Sequence, residues 1–162
     1  MPPAPSVCAA CAFVIQRLAP DDLVSVAHCI AIDADAFPYA SSPFGQRDRA
    51  GRAWVARDDR CLPVLGFVAG RVRGPVLYVA GLAVDRTWRR RGVGRALLRA
   101  CVEDACAEGL DAISLHVALG NGGAVGLYVA EGFAVRRVLR DFYPAGARNV
   151  DHDAYEMVRA LP

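Results

Sequence analysis

No lysine occurs in this chain; all 19 of its basic side chains are arginine. This reads as a coding bias, and it leaves the protein with no lysine of its own to modify. A strong excess of either charge is also missing. The formal net charge is +2, and no aromatic platform interleaves the arginines between Arg86 and Arg99. A nucleic-acid partner is therefore not expected. No apolar run is long enough to span a bilayer, which argues against a membrane partner. The stretch from Met1 to Phe13 lacks the basic n-region of a signal peptide. A soluble protein in a reducing, cytoplasmic setting is the expectation. Cys8-Ala-Ala-Cys11 has the spacing of half a zinc site, but no second Cys or His pair follows at knuckle spacing. No metal is expected, and Cys101 and Cys106 fit a helical apolar pattern as small core residues.

What is present suits a single core. A chain of 162 residues, 54% of them apolar, is the size and composition of one globular domain. Residues 1–11, rich in proline and alanine, read as a loose tail, with one domain over 12–162. No internal repeat or linker interrupts it. Alternation marks a strand from Phe13 to Leu18. Pro20-Asp21-Asp22 starts a helix that runs to about Ala36. Strands follow at Ala53–Arg57, Leu62–Val72 and Val76–Val84, joined by turns at Asp58-Asp59 and Arg73-Gly74-Pro75. A helix with Val93, Leu97, Ala100 and Cys101 on one face ends where Gly109 is a C′ stop. Ala112–Ala118 is a fifth strand. Asn121–Glu131 is a helix stopped by Gly132, and Phe133–Tyr143 and Asp153–Arg159 are the sixth and seventh strands. Short turns join strands one to four as an antiparallel meander. The crossover helix makes strands four and five parallel. The fold class is therefore α+β: a mixed, mostly antiparallel seven-stranded sheet flanked by helices in an α/β/α arrangement. Its parallel central strands, four and five, are expected to splay into a slot.

The chain is organised around Arg89-Arg-Arg-Gly-Val-Gly94. A strand, a turn with two glycines and a helix make an anion-binding loop. The first helix amides have no intrahelical acceptor, the helix dipole is positive there, and Gly92 and Gly94 let a phosphate approach the backbone.

This loop and the block Asn121-Gly-Gly-Ala124-Val-Gly-Leu127-Tyr128-Val-Ala-Glu-Gly132-Phe133 together resemble the GNAT acetyltransferase superfamily. Arg89, Gly92 and Gly94 meet its Gln/Arg-x-x-Gly-x-Gly/Ala motif. The second block meets Asn-x-x-Ala-x-x-x-Tyr-x-x-x-Gly-Phe without a gap. Finer features are similar to the protein N-terminal acetyltransferases: Phe37-Pro38-Tyr39 after the first helix, Leu115-His116-Val117 on the fifth strand, Phe142-Tyr143 before the last hairpin, and Asp153-Ala154-Tyr155-Glu156-Met157. Tyr78 stands eleven residues before Arg89, where the methionine-reading eukaryotic branch places a catalytic tyrosine. The bacterial ribosomal-protein branch has a glutamate where His116 stands and uses the tyrosine here numbered 128 as an acid.

The resemblance implies acetyl-CoA as cosubstrate, its pyrophosphate on the loop amides of Arg89, Arg90, Arg91, Gly92, Val93, Gly94 and Arg95. Asn121 and Ala124 border it. A backbone amide among Leu82, Ala83 and Val84 polarises the thioester. His116, Tyr78 or an ordered water serves as base, and Tyr128 protonates the thiolate. Phe37, Pro38, Tyr39 and Tyr143 line the acceptor site. A free α-amine, with a pKa of about 8, is roughly one-tenth neutral at pH 7, far more than a lysine. The finer resemblance implies the N-terminal α-amine of a protein or peptide as the acceptor. The alternatives are a small amine (a polyamine, an aminoglycoside or an amino acid) and a non-catalytic acetyl-CoA binder. The protein is expected as a monomer or dimer.

Overall fold

A computed structural model describes residues 6–7, 13–19, 21–37, 51–58, 61–143 and 152–162. In chain order the elements are β1 (Ser6–Val7), β2 (Phe13–Arg17), α1 (Leu23–Ala36), β3 (Arg52–Asp58), β4 (Cys61–Arg73), β5 (Val76–Val84), α2 (Val93–Ala107), β6 (Ala112–Ala118), α3 (Gly122–Ala130), β7 (Ala134–Leu139) and β8 (Ala154–Ala160). The strands form one sheet in the order β1-β2-β3-β4-β5-β6-β8-β7. Among the described residues only the β5–β6 pair is parallel. The seven expected strands are all present. The addition is β1, two residues from the stretch read as a tail, which pair with Val14 and Ile15.

The helix ends follow from local chemistry. Asp22 caps α1 by accepting from the Ser25 N–H at 3.0 Å, so the acids lie just before the first turn rather than inside it. Gly92, at φ +83°, is the N-cap of α2 and brings no side chain to its amides. At the other end Gly109 (φ +70°) is C′: its N–H bonds the Cys106 carbonyl at 3.0 Å, and that of Leu110 reaches Ala105 at 3.1 Å. This is the paired Schellman pattern. The same pattern closes α3, from Gly132 to Val129 and from Phe133 to Tyr128, both at 3.0 Å. The Phe133 ring then packs 5.8 Å from that of Tyr128. The Gly-Phe pair is therefore a helix stop whose apolar contact fixes the tyrosine. Strand β7 ends at Leu139, short of the expected Tyr143. Asp141 turns the chain at φ +50°, and its N–H bonds the Asp153 carboxylate at 3.0 Å.

Burial alternates along β6, with Ile113, Leu115 and Val117 inward. They join Leu97, Leu98 and Cys101 of α2, Tyr128 of α3 and Met157 of β8 in the main core. On the other side of the sheet, Cys29 of α1 packs with Val55, Phe67, Ala69 and Ala83. The sheet thus has helices on both faces, as expected.

The feature that makes a site is the short β5–β6 ladder. It holds only four pairs, Val76↔Ala112 to Val79↔Leu115. Beyond them β5 continues with β4 to Val84, and β6 continues with β8 to Ala118. The register against β4 slips at this point: Val79 faces Gly70 and Gly81 faces Ala69, leaving Ala80 as an extra residue. A bulge sharpens the local twist, which turns the end of β5 away from β6. The expected splay is present, and its cause is a bulge at Ala80.

Candidate active site

Two groups of residues lie around the point where β5 and β6 part. The first lines a cavity of about 540 Å³. Leu82, Ala83 and Val84 form its strand wall, Gly92, Val93, Gly94 and Arg95 its helix wall, and Asn121, Ala124 and Leu127 the α3 side. Phe37, at the end of α1, and Trp88 also border it. A Cβ at Gly92 would meet nothing within 4 Å, so the glycine is there for its positive φ and not for space. Asn121 caps α3, accepting from the Ala124 N–H at 3.2 Å.

The arginines are arranged by partners that sequence reading gave no role. A 3₁₀ turn at Arg86–Trp88, capped by Asp85 through the Thr87 N–H at 2.8 Å, precedes the loop. Asp35 of α1 takes Arg86 at 2.8 Å and lies 3.9 Å from Arg89, whose Nε also donates to the Val84 carbonyl at 3.0 Å. Arg90 adopts φ +63° and lines the cavity, whereas Arg91 stacks 5.0 Å over the Trp88 ring, off the cavity wall. The Arg95 side chain turns to Glu131 at 3.0 Å. Arg99, one turn on, grips the same carboxylate at 2.8 and 3.1 Å. Glu131 is buried, and its carbonyl accepts from Arg159 at 2.7 Å. The C-cap residue of α3 thus ties α2, α3 and β8 together. The helix-start amides, the guanidinium groups and the apolar strand wall suit a ligand with an anionic end and an apolar arm.

The second group sits on β5 and β6 at the last rungs of the ladder. The Tyr78 hydroxyl lies 3.1 Å from His116 Nδ1. Phe142 packs on the imidazole at 4.5 Å between ring centroids, and Tyr143 meets Phe142 edge-on at 5.0 Å. The Tyr143 N–H is held by the His152 carbonyl at 2.9 Å. Burial lowers the His116 pKa below 6.5; Glu156, its cross-strand partner, opposes this, and Arg137 and Arg73 add to it. Burial raises the Tyr78 pKa, against the pull of Arg73 and Arg71, and burial also raises that of Tyr143. The pair is therefore a neutral imidazole and a neutral phenol near pH 7. With the His116 proton on Nδ1 and donated to Tyr78, Nε2 is a free acceptor. With it on Nε2, Tyr78 donates to Nδ1.

Tyr128 lies in the core and is absent from the cavity wall, next to Leu127, which lines it. Burial raises its phenol pKa well above the ordinary 10, so it is a protonated donor. Pro38 and Tyr39 lie outside the described residues. Among the described residues, no cluster of three or more His, Cys, Asp or Glu side chains could hold a metal.

Comparison with known proteins adds three findings. The profile of the "Acetyltransferase (GNAT) family" matches residues 20–133. The "[Ribosomal protein bS18]-alanine N-acetyltransferase" of Salmonella typhimurium is 29% identical over 131 residues, 80% of this chain and 84% of that one. The protein of the same description from Escherichia coli is 28% identical over 150 residues, 91% and 96% of the two chains. Arabidopsis thaliana NAA60 in complex with a bisubstrate analogue superposes with a TM-score of 0.79 at 23% identity, covering 92% of this chain and 98% of that one.

Proposed function

Because the chain belongs to the acetyltransferase (GNAT) family, and so to enzymes that move an acetyl group from acetyl-CoA to an amine, we propose that its acceptor is the N-terminal α-amine of a protein or peptide. The observation that carries this reading is the Tyr78–His116 pair at 3.1 Å, placed where the parallel ladder ends and walled by Phe142 and Tyr143. Aromatic walls seat the first residues of a chain, whereas a polyamine or aminoglycoside calls for carboxylates. Relatives that carry the bS18-alanine N-acetyltransferase description support the same choice.

Acetyl-CoA supplies an activated thioester. The residues divide the remaining work. The first amides of α2, with Arg89 and Arg90, hold the pyrophosphate, and Asn121 and Ala124 flank the arm. An N–H among Leu82, Ala83 and Val84 steadies charge on the thioester oxygen. His116, kept neutral by burial, takes the amine proton directly or through a water that Tyr78 shares. Tyr128, a protonated phenol in the core beside the cavity-lining Leu127, is the donor for the leaving sulfur in this reading, which requires the sulfur to reach past the cavity wall toward it. Free-thiol release from acetyl-CoA, measured over short peptides that differ in their first two residues, tests the reading. Turnover that disappears when the N-terminus is blocked is expected. Turnover on small amines alone would overturn it.

A further inference from the structure

His116 belongs to a row of side chains that crosses four strands. Tyr78 of β5 meets its Nδ1 at 3.1 Å. On the other side, Glu156 of β8 is its direct cross-strand partner, and Arg137 of β7 is the partner of Glu156. Residues opposite one another in an antiparallel ladder share a face, with Cβ atoms about 4.5–5.5 Å apart. The last step depends on a bulge. Val135 faces Met157 and Arg137 faces Glu156, so Arg136 is an extra residue and Arg137 takes the place beside the acid. Arg137 Nε donates to the Glu156 carboxylate in an ion pair. The arginine side chain is 63% exposed but that of Glu156 only 13%, so water screens the carboxylate little. Phe142 covers the imidazole.

From this row we propose that Glu156, held by Arg137, is a positioning residue for His116: its carboxylate braces the charge that His116 gains on taking the proton of the acceptor amine. The inference rests on the reading of His116 as base and adds a residue to that site. A half-buried imidazole under an aromatic ring is a costly place for a positive charge. A carboxylate fixed across the strand offsets that cost. Arg137 has two effects. It keeps the carboxylate in one geometry, and it takes up part of its charge, so that His116 is not protonated before the amine arrives. Other charged or titratable groups toward His116 include Tyr78 on β5, Arg73 on β4, and Tyr143 beyond Phe142; Arg71 on β4 acts on Tyr78. Glu156 is the acid of this set. The balance at the imidazole agrees: burial lowers the His116 pKa, Glu156 opposes it, and Arg137 and Arg73 add to it.

The test is proton NMR of the imidazoles against pH, read beside kcat/KM from thiol release on the fastest acceptor of the panel above. The chain has three histidines, and His116→Ala identifies the signal of interest. Glu156→Gln removes the charge at nearly constant shape. It should weaken proton binding at His116 by about two- to fivefold, the worth of one opposite-charge cross-strand pair. The steep acid fall of kcat/KM should move to lower pH by the same factor. Arg137→Gln, at an exposed side chain, should shift both readouts the opposite way. Glu156→Asp keeps the charge and should restore most of the proton affinity, which a lost packing contact would not explain. Each comparison is between variants on one acceptor, so the amine and the unchanged charges cancel. An unmoved His116 titration in Glu156→Gln, or one that moves in the same direction in Arg137→Gln, would overturn the inference and leave His116 standing as base. A titration that moves as expected beneath an unmoved rate profile would overturn the base reading, and the inference with it.

Discussion

The sharpest consequence of the site concerns His116 and Tyr78 taken together. If they work as one unit, His116→Ala removes the base and should lower kcat/KM by about 10²- to 10⁴-fold, the usual worth of general base catalysis. Tyr78→Phe deletes a single neutral hydrogen bond of 3.1 Å, worth about 0.5–1.5 kcal/mol, so a loss of about two- to twelvefold is expected. The double variant should be no worse than His116→Ala, because the phenol then has no imidazole to serve. The KM for acetyl-CoA should stay within about twofold throughout, since neither residue lines the cavity between β5 and α2. The pH profile gives a second reading. Burial holds the His116 pKa below 6.5, so at pH 7 at least about three-quarters of it is neutral and competent. The acceptor amine, with a pKa of about 8, imposes its own decline toward acid in both proteins. Protonation of His116 adds a second, steeper fall below pH 6.5 in the parent, and only that added fall should vanish in His116→Ala. The same depressed pKa makes the unfolded chain the better proton acceptor, so stability also declines as pH falls below 6.5. Stopped-flow or plate-reader thiol release over pH 5–9 suffices. A His116→Ala variant within threefold of the parent, with the same steep fall below pH 6.5, would refute the assignment of His116 as base.

Three further outcomes follow from the geometry. Gly92→Ala meets no neighbour but keeps φ +83°, so it should cost about 1–2 kcal/mol of backbone strain, lower the Tm by a few degrees in calorimetry and raise the KM for acetyl-CoA. Glu131→Ala releases Arg95 and Arg99 together. Both arginines regain water, so about 1.5 kcal/mol is expected by urea unfolding, again with a raised KM for acetyl-CoA as the α2–α3 tie is lost. Asp22→Ala removes the α1 cap at about 1 kcal/mol. Ser25, through its N–H and hydroxyl, and Arg57 hold the Asp22 pKa near 2, below the usual 3.8. That contribution is complete above pH 3.8 and lost as pH falls toward 2, so parent and variant should converge in acid unfolding.

Periodicity and stop signals were enough to place the three described α-helices and the seven main strands, because each is written in local chemistry: Asp22, Asn121, Gly109 and Gly132 act within a turn of themselves. The crossover helix sufficed to make β5 and β6 parallel. What escaped is long-range. The bulge at Ala80 leaves no residue signature; it exists because β4 and β5 lose register. Asp35 carries no role in the sequence, yet it meets Arg86 and Arg89 across more than fifty residues. Glu131 occupies an unconstrained position of the Asn–Gly-Phe block, and only packing shows that it gathers Arg95, Arg99 and Arg159. Of the candidate site, the cavity loop was legible as a motif. The contact between Tyr78 and His116, 38 residues apart, required the parallel ladder to set β5 beside β6, with His116 two residues beyond the rung of Tyr78.

The four-pair ladder between β5 and β6 has a mechanical meaning as well as a chemical one. It makes the sheet two plates, β1–β5 and β6–β8, joined along a seam that is closed at one end and open at the other. Helix α2 lies mainly across the first plate, so the second is held by the seam, by the shared core and by the arginine grip on Glu131. Such a plate is a natural unit of partial opening, able to loosen without unravelling its neighbour. A ligand held between Val84 on one side and Asn121 on the other spans that seam, and whatever bridges it ties the plates together. The opening proposed for catalysis and a short joint of the sheet are then the same place, and occupancy of one sets the cohesion of the other.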